Sequence, residues 1–246
     1  MVIRPPTRAV LFDLDDTLHD DTQTYRRAAR RVVDDLSREG AVDAEALFLA
    51  YVAQAERFWK SLTAELLTES MVATRERLWS AALAAVGTPD AVLARRCAEA
   101  YNRYRNEFLQ LWPGVGDLLD TLRARGSRLG LITNGMSETH REKIALLGLA
   151  DRFDIVLMAD EAGMVKPDPR LFQLACARLG IEPRDATMIG DRYFRDITGA
   201  HDAGLFTIWL DIHGEHVAHD PPPHDLRVGD IAEVVTLLLD ASAFPR

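Results

Sequence analysis

The stretch AVLFDLDDTL, residues 9–18, decides how the chain is read. It opens on an apolar run with the length and composition of a strand buried on both faces of a parallel sheet. The run leads into Asp13 and Asp15. Residues i and i+2 of an extended segment share a face, so both carboxylates should enter one crevice while Leu14 turns into the core. Two carboxylates leaving a buried strand together repel each other and are costly to desolvate. A cation, or a chemical task, has to compensate.

Working outward, with residues 9–14 as the first strand, four more runs predict strands: RLGLIT (128–133), DIVLMA (154–159), ATMIG (186–190) and FTIWLD (206–211). Helical patterns separate them. SETHREKIALLG (137–148) has Ser137 as N-cap and Gly148 as a stop, and DPRLFQLACARLG (168–180) starts on Asp168-Pro169 and stops at Gly180. Strands alternating with helices predict a doubly wound, mostly parallel α/β sheet of Rossmann-like form. Residues 21–111 break the alternation. They hold no convincing strand but four helical patterns, with stops at Gly40 and Gly87 and a start at Thr88-Pro89. Such a block is too long for a crossover, so the expected organisation is a core of residues 1–20 and 112–246 with an all-helical domain, 21–111, inserted in it. Beyond the last long strand, HGEHVAHDPPPHD (213–225) predicts a Pro- and His-rich loop before a short strand and a final helix, 231–241.

Ligands of open α/β sheets bind at the carboxyl ends of the strands, and four groups of residues fall there. Asp13 and Asp15 are the first. Thr133-Asn134-Gly135 offers a hydroxyl and turn amides near a helix N-terminus, which suits an anion, although Asn-Gly is also an ordinary turn. Lys166-Pro167 is notable because Lys60, Lys143 and Lys166 are the only lysines in an arginine-rich chain. A lysine there suggests a compact ammonium rather than a planar fork. Gly190-Asp191 closes the fourth strand, and Asp196 opens the next helix, where an acid also suits the dipole.

Taken together, Asp13-x-Asp15-x-Thr17, Thr133, Lys166-Pro167 and Gly190-Asp191-x4-Asp196 resemble the four motifs of the haloacid dehalogenase-like hydrolases, in order and separation. The helical block after the first motif resembles that superfamily's insertion cap of the first type. The resemblance implies Asp13 as nucleophile and Asp15 as general acid/base, with Thr133, Asn134 and Lys166 binding phosphate. It implies Mg²⁺ held by Asp13, the main-chain carbonyl of Asp15, and Asp191, with Asp196 supporting the metal shell. A carboxylate approaching a phosphate meets repulsion of roughly 4 kcal/mol per charge pair at 4 Å and an effective dielectric near 20. A divalent cation and the Lys166 ammonium would oppose that repulsion. Arg192 stands where relatives often carry a small residue, and is expected to point away and pair with an acid rather than to reach the substrate. His19 follows the first motif closely and is a candidate for lining the site; Arg57 and Arg75 are candidates from the helical block.

The implied activity is hydrolysis of a small phosphomonoester such as a nucleotide or sugar phosphate. A phosphosugar mutase would share the same core residues. A dehalogenase would not need Asp15, a phosphonate hydrolase would need a lysine from the cap, where only Lys60 stands, and a binding module would need none of these groups. An insertion entering so close to Asp13 is expected to lie over the crevice and to exclude macromolecular substrates. His213, His216, His219 and His224 match no defined metal-ligand spacing and are expected to be solvated or packed in their loop. The net charge of −9 speaks against a nucleic-acid partner. No apolar run approaches the ~18 residues of a membrane span. The N-terminus shows no signal-peptide stretch, and Cys97 and Cys176 lie in apolar helical patterns, so a cytoplasmic protein with free thiols is expected.

Overall fold

The computed structural model describes residues 5–40, 43–61, 70–214 and 224–239. Six strands form one parallel sheet: β1 (Ala9–Phe12), β2 (Arg128–Thr133), β3 (Ile155–Met158), β4 (Ala186–Gly190), β5 (Phe206–Leu210) and β6 (Leu226–Val228). Their order is β3-β2-β1-β4-β5-β6, the doubly wound arrangement expected from the alternation of strands and helices. The chain leaves β1 on one side and returns on the other as β4, so the switch point lies between these neighbours. There Phe12 pairs with Ile189, and the Asp13 N–H donates to the Ile189 carbonyl at 2.9 Å.

Val10, Leu11 and Phe12 have no exposed surface, nor do Leu131, Ile132, Met188, Ile189 and Ile208. Burial of both strand faces explains why these segments read as unbroken apolar runs. Each such side chain contributes about 1.5–3 kcal/mol relative to exposure. Leu14 is likewise fully buried, on the core side of the carboxylates that flank it.

Two compact units are distinguished. The first comprises Met1–Asp20, Gln110–Ser137 and Leu147–Arg246; the second comprises Asp21–Leu109 and Glu138–Leu146. The second unit contains α1 (Asp21–Arg38), α2 (Ala44–Lys60), α3 (Met71–Ala85) and α4 (Ala91–Phe108). Tyr51 stacks on Trp79 at 3.9 Å between ring centroids, with Tyr101 beside both, so these aromatics belong to the interior of the helical unit. Helix α4 begins at Ala91, two residues beyond the Thr88-Pro89 signal, with Asp90 as its N-cap. The carboxylate of Asp90 accepts from the N–H groups of Val92 and Leu93, and this double cap fixes the start.

In the first unit α5 (Val115–Ala124) precedes β2, and α6 (Ser137–Leu146) follows it, mostly within the second unit. Glu138 of α6 accepts from Ser70 Oγ and Met71 N, and Lys143 is paired at 2.9 Å with Asp21. These charged contacts tie a segment that reads as core to the inserted helices. The N–H and the hydroxyl of Ser137, at the start of α6, both donate to Asp160. A single turn, α7 (Ala159–Ala162), follows β3, and α8 (Pro169–Leu179) runs between the signals read from sequence. Asp168 caps the Arg170 N–H, and Gly180 ends the helix in the left-handed conformation. After β4 the chain makes a wide π-type turn, Tyr193–Thr198, that leads into α9 (Gly199–Asp202). Helix α10 (Ile231–Leu239) packs on α5.

Cys97 and Cys176 are both buried and free. Among the described residues no helix is long and apolar enough to cross a membrane.

Candidate active site

Three carboxylates and one ammonium meet beneath the carboxyl ends of β1 and β4. Lys166 Nζ donates to Asp13 Oδ1 at 2.6 Å and to the carbonyl of Ile132 at 3.0 Å, and forms an ion pair with Asp196 Oδ1 at 2.6 Å. Lys166 is 4% exposed, Asp13 6%, Asp191 2% and Asp196 0%. Burial alone would depress the Lys166 pKa; the charges of Asp13 and Asp196 outweigh it and hold the ammonium above its ordinary range. Burial pushes the Asp13 carboxyl well above the usual range, Lys166 opposes that, and Asp196 and Asp191 add to the rise. Burial likewise carries Asp191 up to about 6, against the contact with His213.

Local structure explains how these groups reach one place. The carboxyl oxygens of Asp13, Asp191 and Asp196 lie within 4.8 Å of one another. Asp196 comes so close because residue 190 is glycine; a Cβ there would sit 2.4 Å from the Asp196 side chain. Asp196 also accepts from the Arg192 N–H at 2.9 Å, which closes the turn after β4. The loop carrying Lys166 is clamped from β2. Asn134 Oδ1 accepts from the Lys166 N–H at 2.8 Å, and Asn134 Nδ2 donates to the Lys166 carbonyl at 3.0 Å. Gly199 admits the same loop from the other side, since a Cβ would lie 2.4 Å from the Pro167 carbonyl oxygen.

The remaining sequence candidates fall around this centre. Thr133 ends β2, is 2% exposed, and its hydroxyl accepts from the Gly135 N–H at 3.1 Å. Asp15 is not one of the trio, although its charge acts on Asp13. Its side chain is 33% exposed, and Oδ1 contacts His19 Nε2 at 2.9 Å. His19 itself is fully buried, with Nε2 against Asp15. Asn134 is occupied with the Lys166 main chain. Arg192 pairs with acids but does not point away from the site: Nε lies 2.9 Å from Asp191 Oδ2, and a terminal nitrogen 3.4 Å from Asp16 Oδ2.

One expectation is corrected. The first histidine of the Pro-rich loop is not merely solvated, since His213 Nε2 lies 3.3 Å from both Asp16 Oδ2 and Asp191 Oδ2. Contacts with Asp16, then Asp191, raise its pKa to about 9. Asp16 reaches it by turning the backbone left-handed, at φ 61°, a conformation aspartate tolerates better than most residues. His213 follows the end of β5 by three residues, so the strand-edge rule applied to the other motifs could have singled it out. His224 packs on the aromatic rings of Tyr193 and Trp209. His216 and His219 lie outside the described residues.

The donor set fits a hard divalent cation. Three buried carboxylates face one lysine, and both Asp13 and Asp191 remain raised despite the cations beside them. Asp191 Oδ1 is buried and holds no hydrogen bond among the described residues, while Oδ2 meets Arg192 and His213. Buried carboxylate oxygens crowded together in this way suit an ion such as Mg²⁺ or Mn²⁺.

The chain is similar to known proteins over most of its length. A phosphoserine phosphatase of Thermus thermophilus is 37% identical, with 92% of this chain and 97% of that protein covered. Human N-acylneuraminate-9-phosphatase is 32% identical over 94% and 93% of the two chains. A HAD-hydrolase from Bacillus subtilis, whose crystal structure was determined bound to magnesium, shares the fold with a TM-score of 0.73. It is 24% identical and covers 96% of this chain and 99% of its own. The family model for haloacid dehalogenase-like hydrolases matches residues 7–204, and with that match the chain belongs to the haloacid dehalogenase-like hydrolase family.

Proposed function

We propose that this protein is a Mg²⁺-dependent phosphatase that hydrolyses a small phosphomonoester through an aspartyl-phosphate at Asp13. The observation that carries the reading is the buried Asp13–Lys166 pair beside Asp191 and Asp196, with a partly exposed carboxylate two residues further on. Similarity to phosphatases of phosphoserine, N-acylneuraminate 9-phosphate and glyceraldehyde 3-phosphate supports the same class of substrate.

In this mechanism Asp13 attacks phosphorus, and the bond from phosphorus to the ester oxygen breaks. Asp15, oriented by His19, gives its proton to the departing oxygen, then accepts one from the water that attacks the acyl phosphate. Inorganic phosphate leaves and the Asp13 carboxylate is restored. Lys166 offsets charge on the transferring group, and Asn134 positions Lys166 by holding its main chain. Thr133 offers a hydroxyl at the end of β2. Mg²⁺, held by Asp13, Asp191 and the Asp15 carbonyl with Asp196 in support, supplies further charge neutralisation when bound. A haloacid substrate needs no acid at residue 15, so Asp15 favours phosphorus.

Metal dependence provides the test. Chelation is expected to remove phosphate release and Mg²⁺ to restore it. Asp191→Ala should raise the Mg²⁺ concentration for half-maximal rate by about 10–100-fold, or abolish the rate. Full activity of metal-free protein in an assay of released phosphate would overturn this reading.

The inserted helical unit is proposed to select the leaving group, and the substrate is proposed to be a soluble metabolite. A panel of metabolite phosphates assayed beside a phosphopeptide should give kcat/KM at least about 100-fold higher for the best metabolite, a discrimination of roughly 3 kcal/mol. Equal efficiency on the peptide would refute the proposal.

A further inference from the structure

The acidic trio leaves out two groups that also reach Asp191. His213 Nε2 lies 3.3 Å from Asp191 Oδ2 and 3.3 Å from Asp16 Oδ2, and the three ligand atoms lie within 4.8 Å of one another. The side chain of Asp16 is 6% exposed and that of Asp191 1%, whereas His213 is 29% exposed and opens the cluster toward solvent. Asp191 Oδ2 points into this group, between Arg192 Nε and His213 Nε2, while the buried Oδ1 of the same carboxylate holds no hydrogen bond among the described residues.

We propose that Asp16, Asp191 and His213 form a second cation site, which takes a transition ion such as Zn²⁺ and shares Asp191 with the trio of Asp13, Asp191 and Asp196. The chemistry of the donors separates the two. Carboxylate oxygens alone suit Mg²⁺, whereas an imidazole nitrogen with two carboxylates is a borderline set that Zn²⁺ or Co²⁺ prefers. Three protein ligands with a position left for water is a common zinc arrangement. The Arg192 side chain now lies against the same two acids. It is 45% exposed, and an arriving cation would displace its head toward solvent. Because Asp191 belongs to both sets, Zn²⁺ held by His213 competes with the hard cation for it. Zinc therefore does not replace Mg²⁺; it inhibits.

The competing account makes His213 a fixed counter-charge for two buried acids. It predicts the opposite sign, because removing a positive group would tighten cation binding. Calorimetric titration of the full-length protein with Zn²⁺, in excess Mg²⁺, separates the two. The site should take one equivalent of Zn²⁺, and His213→Ala should weaken binding by about 100-fold, since loss of a mere supporting partner already costs 10–100-fold. His213→Gln serves as the second variant, with circular dichroism to check the fold of both. With Co²⁺ the intact protein should show a paramagnetically shifted ring N–H signal that both variants lose. Unchanged or tighter Zn²⁺ binding in the two variants would overturn the site, as would binding that is lost in Asp13→Asn and kept in His213→Ala. Inhibition by Zn²⁺ competitive with Mg²⁺ is the kinetic consequence and rests on the proposed phosphatase activity. The calorimetric and spectroscopic results do not, so failure of one is distinguishable from failure of the other.

Discussion

Asp13→Asn is expected to abolish turnover while leaving the fold in place. An amide has the shape of the carboxylate but is a poor nucleophile, and no other residue occupies its position at the end of β1. Loss of a covalent nucleophile in well-studied hydrolases costs on the order of 10⁶-fold in kcat, and a loss of at least about 10⁵-fold is anticipated here. Each factor of ten corresponds to about 1.4 kcal/mol of transition-state stabilisation, so roughly 7 kcal/mol is at stake. The fold should survive because Lys166 keeps its contacts with Asp196 and with the Ile132 carbonyl. Asp13 is moreover a carboxylate that burial already disfavours in its charged form, so neutralising it removes a cost as well as a contact. Initial rates on an aryl phosphate with Mg²⁺, alongside a thermal melt, check both halves. Activity within tenfold of wild type would sink the nucleophile assignment.

Asp15→Asn carries the second large effect, and its pattern is more telling than its size. General acid–base catalysis is worth about 10²–10⁴-fold, so poor alkoxide leaving groups should slow by roughly 10³-fold. An ester whose leaving group needs no proton should still transfer its phosphoryl group to Asp13, after which hydrolysis stalls because the water lacks its base. Phosphoenzyme should therefore accumulate, and acid quenching of a labelled reaction would trap it. The structure bears on this through exposure. Asp15 is far less buried than Asp13 and rests on His19, so its proton can exchange with solvent while its position is held. An unchanged rate on an alkyl phosphate in this variant would reassign the acid/base.

The two variants also distinguish the members of the pair. If both aspartates merely neutralised charge at one site, each substitution would lower all substrates alike. A dependence on leaving group confined to Asp15→Asn is expected only when one carboxylate attacks and the other moves protons.

Much of this protein was determined by its sequence. Parallel strands covered on both faces must be apolar throughout, so β1, β2, β4 and β5 stand out as runs, and the residues just after them fall at one sheet edge by topology alone. Asp13, Thr133 and Asp191 were legible for that reason, Lys166 as a rare lysine in a loop of an arginine-rich chain, and the inserted block because four helical patterns in succession cannot be a crossover. Local signals likewise fixed the ends of α8, where Asp168 and Gly180 act on their immediate neighbours. Tertiary structure decided whatever depends on which segments meet. Asp196 reads as a helix-dipole acid in isolation, yet 30 positions from Lys166 it forms an ion pair with that lysine, and only the missing side chain at Gly190 makes room for it. Asn134 reads as a turn residue and proves to clamp the Lys166 main chain. Helix α6 reads as part of the core, but the contacts of Glu138 and Lys143 bind it to the inserted helices. His213 looked like one of four histidines in a polar loop. Its meeting with Asp16 and Asp191 depends on the path taken after β5 and on the left-handed turn at Asp16. Periodicity reports the burial of a residue's own segment; contacts between segments distant in the chain leave no such period, and only the folded chain brings them together.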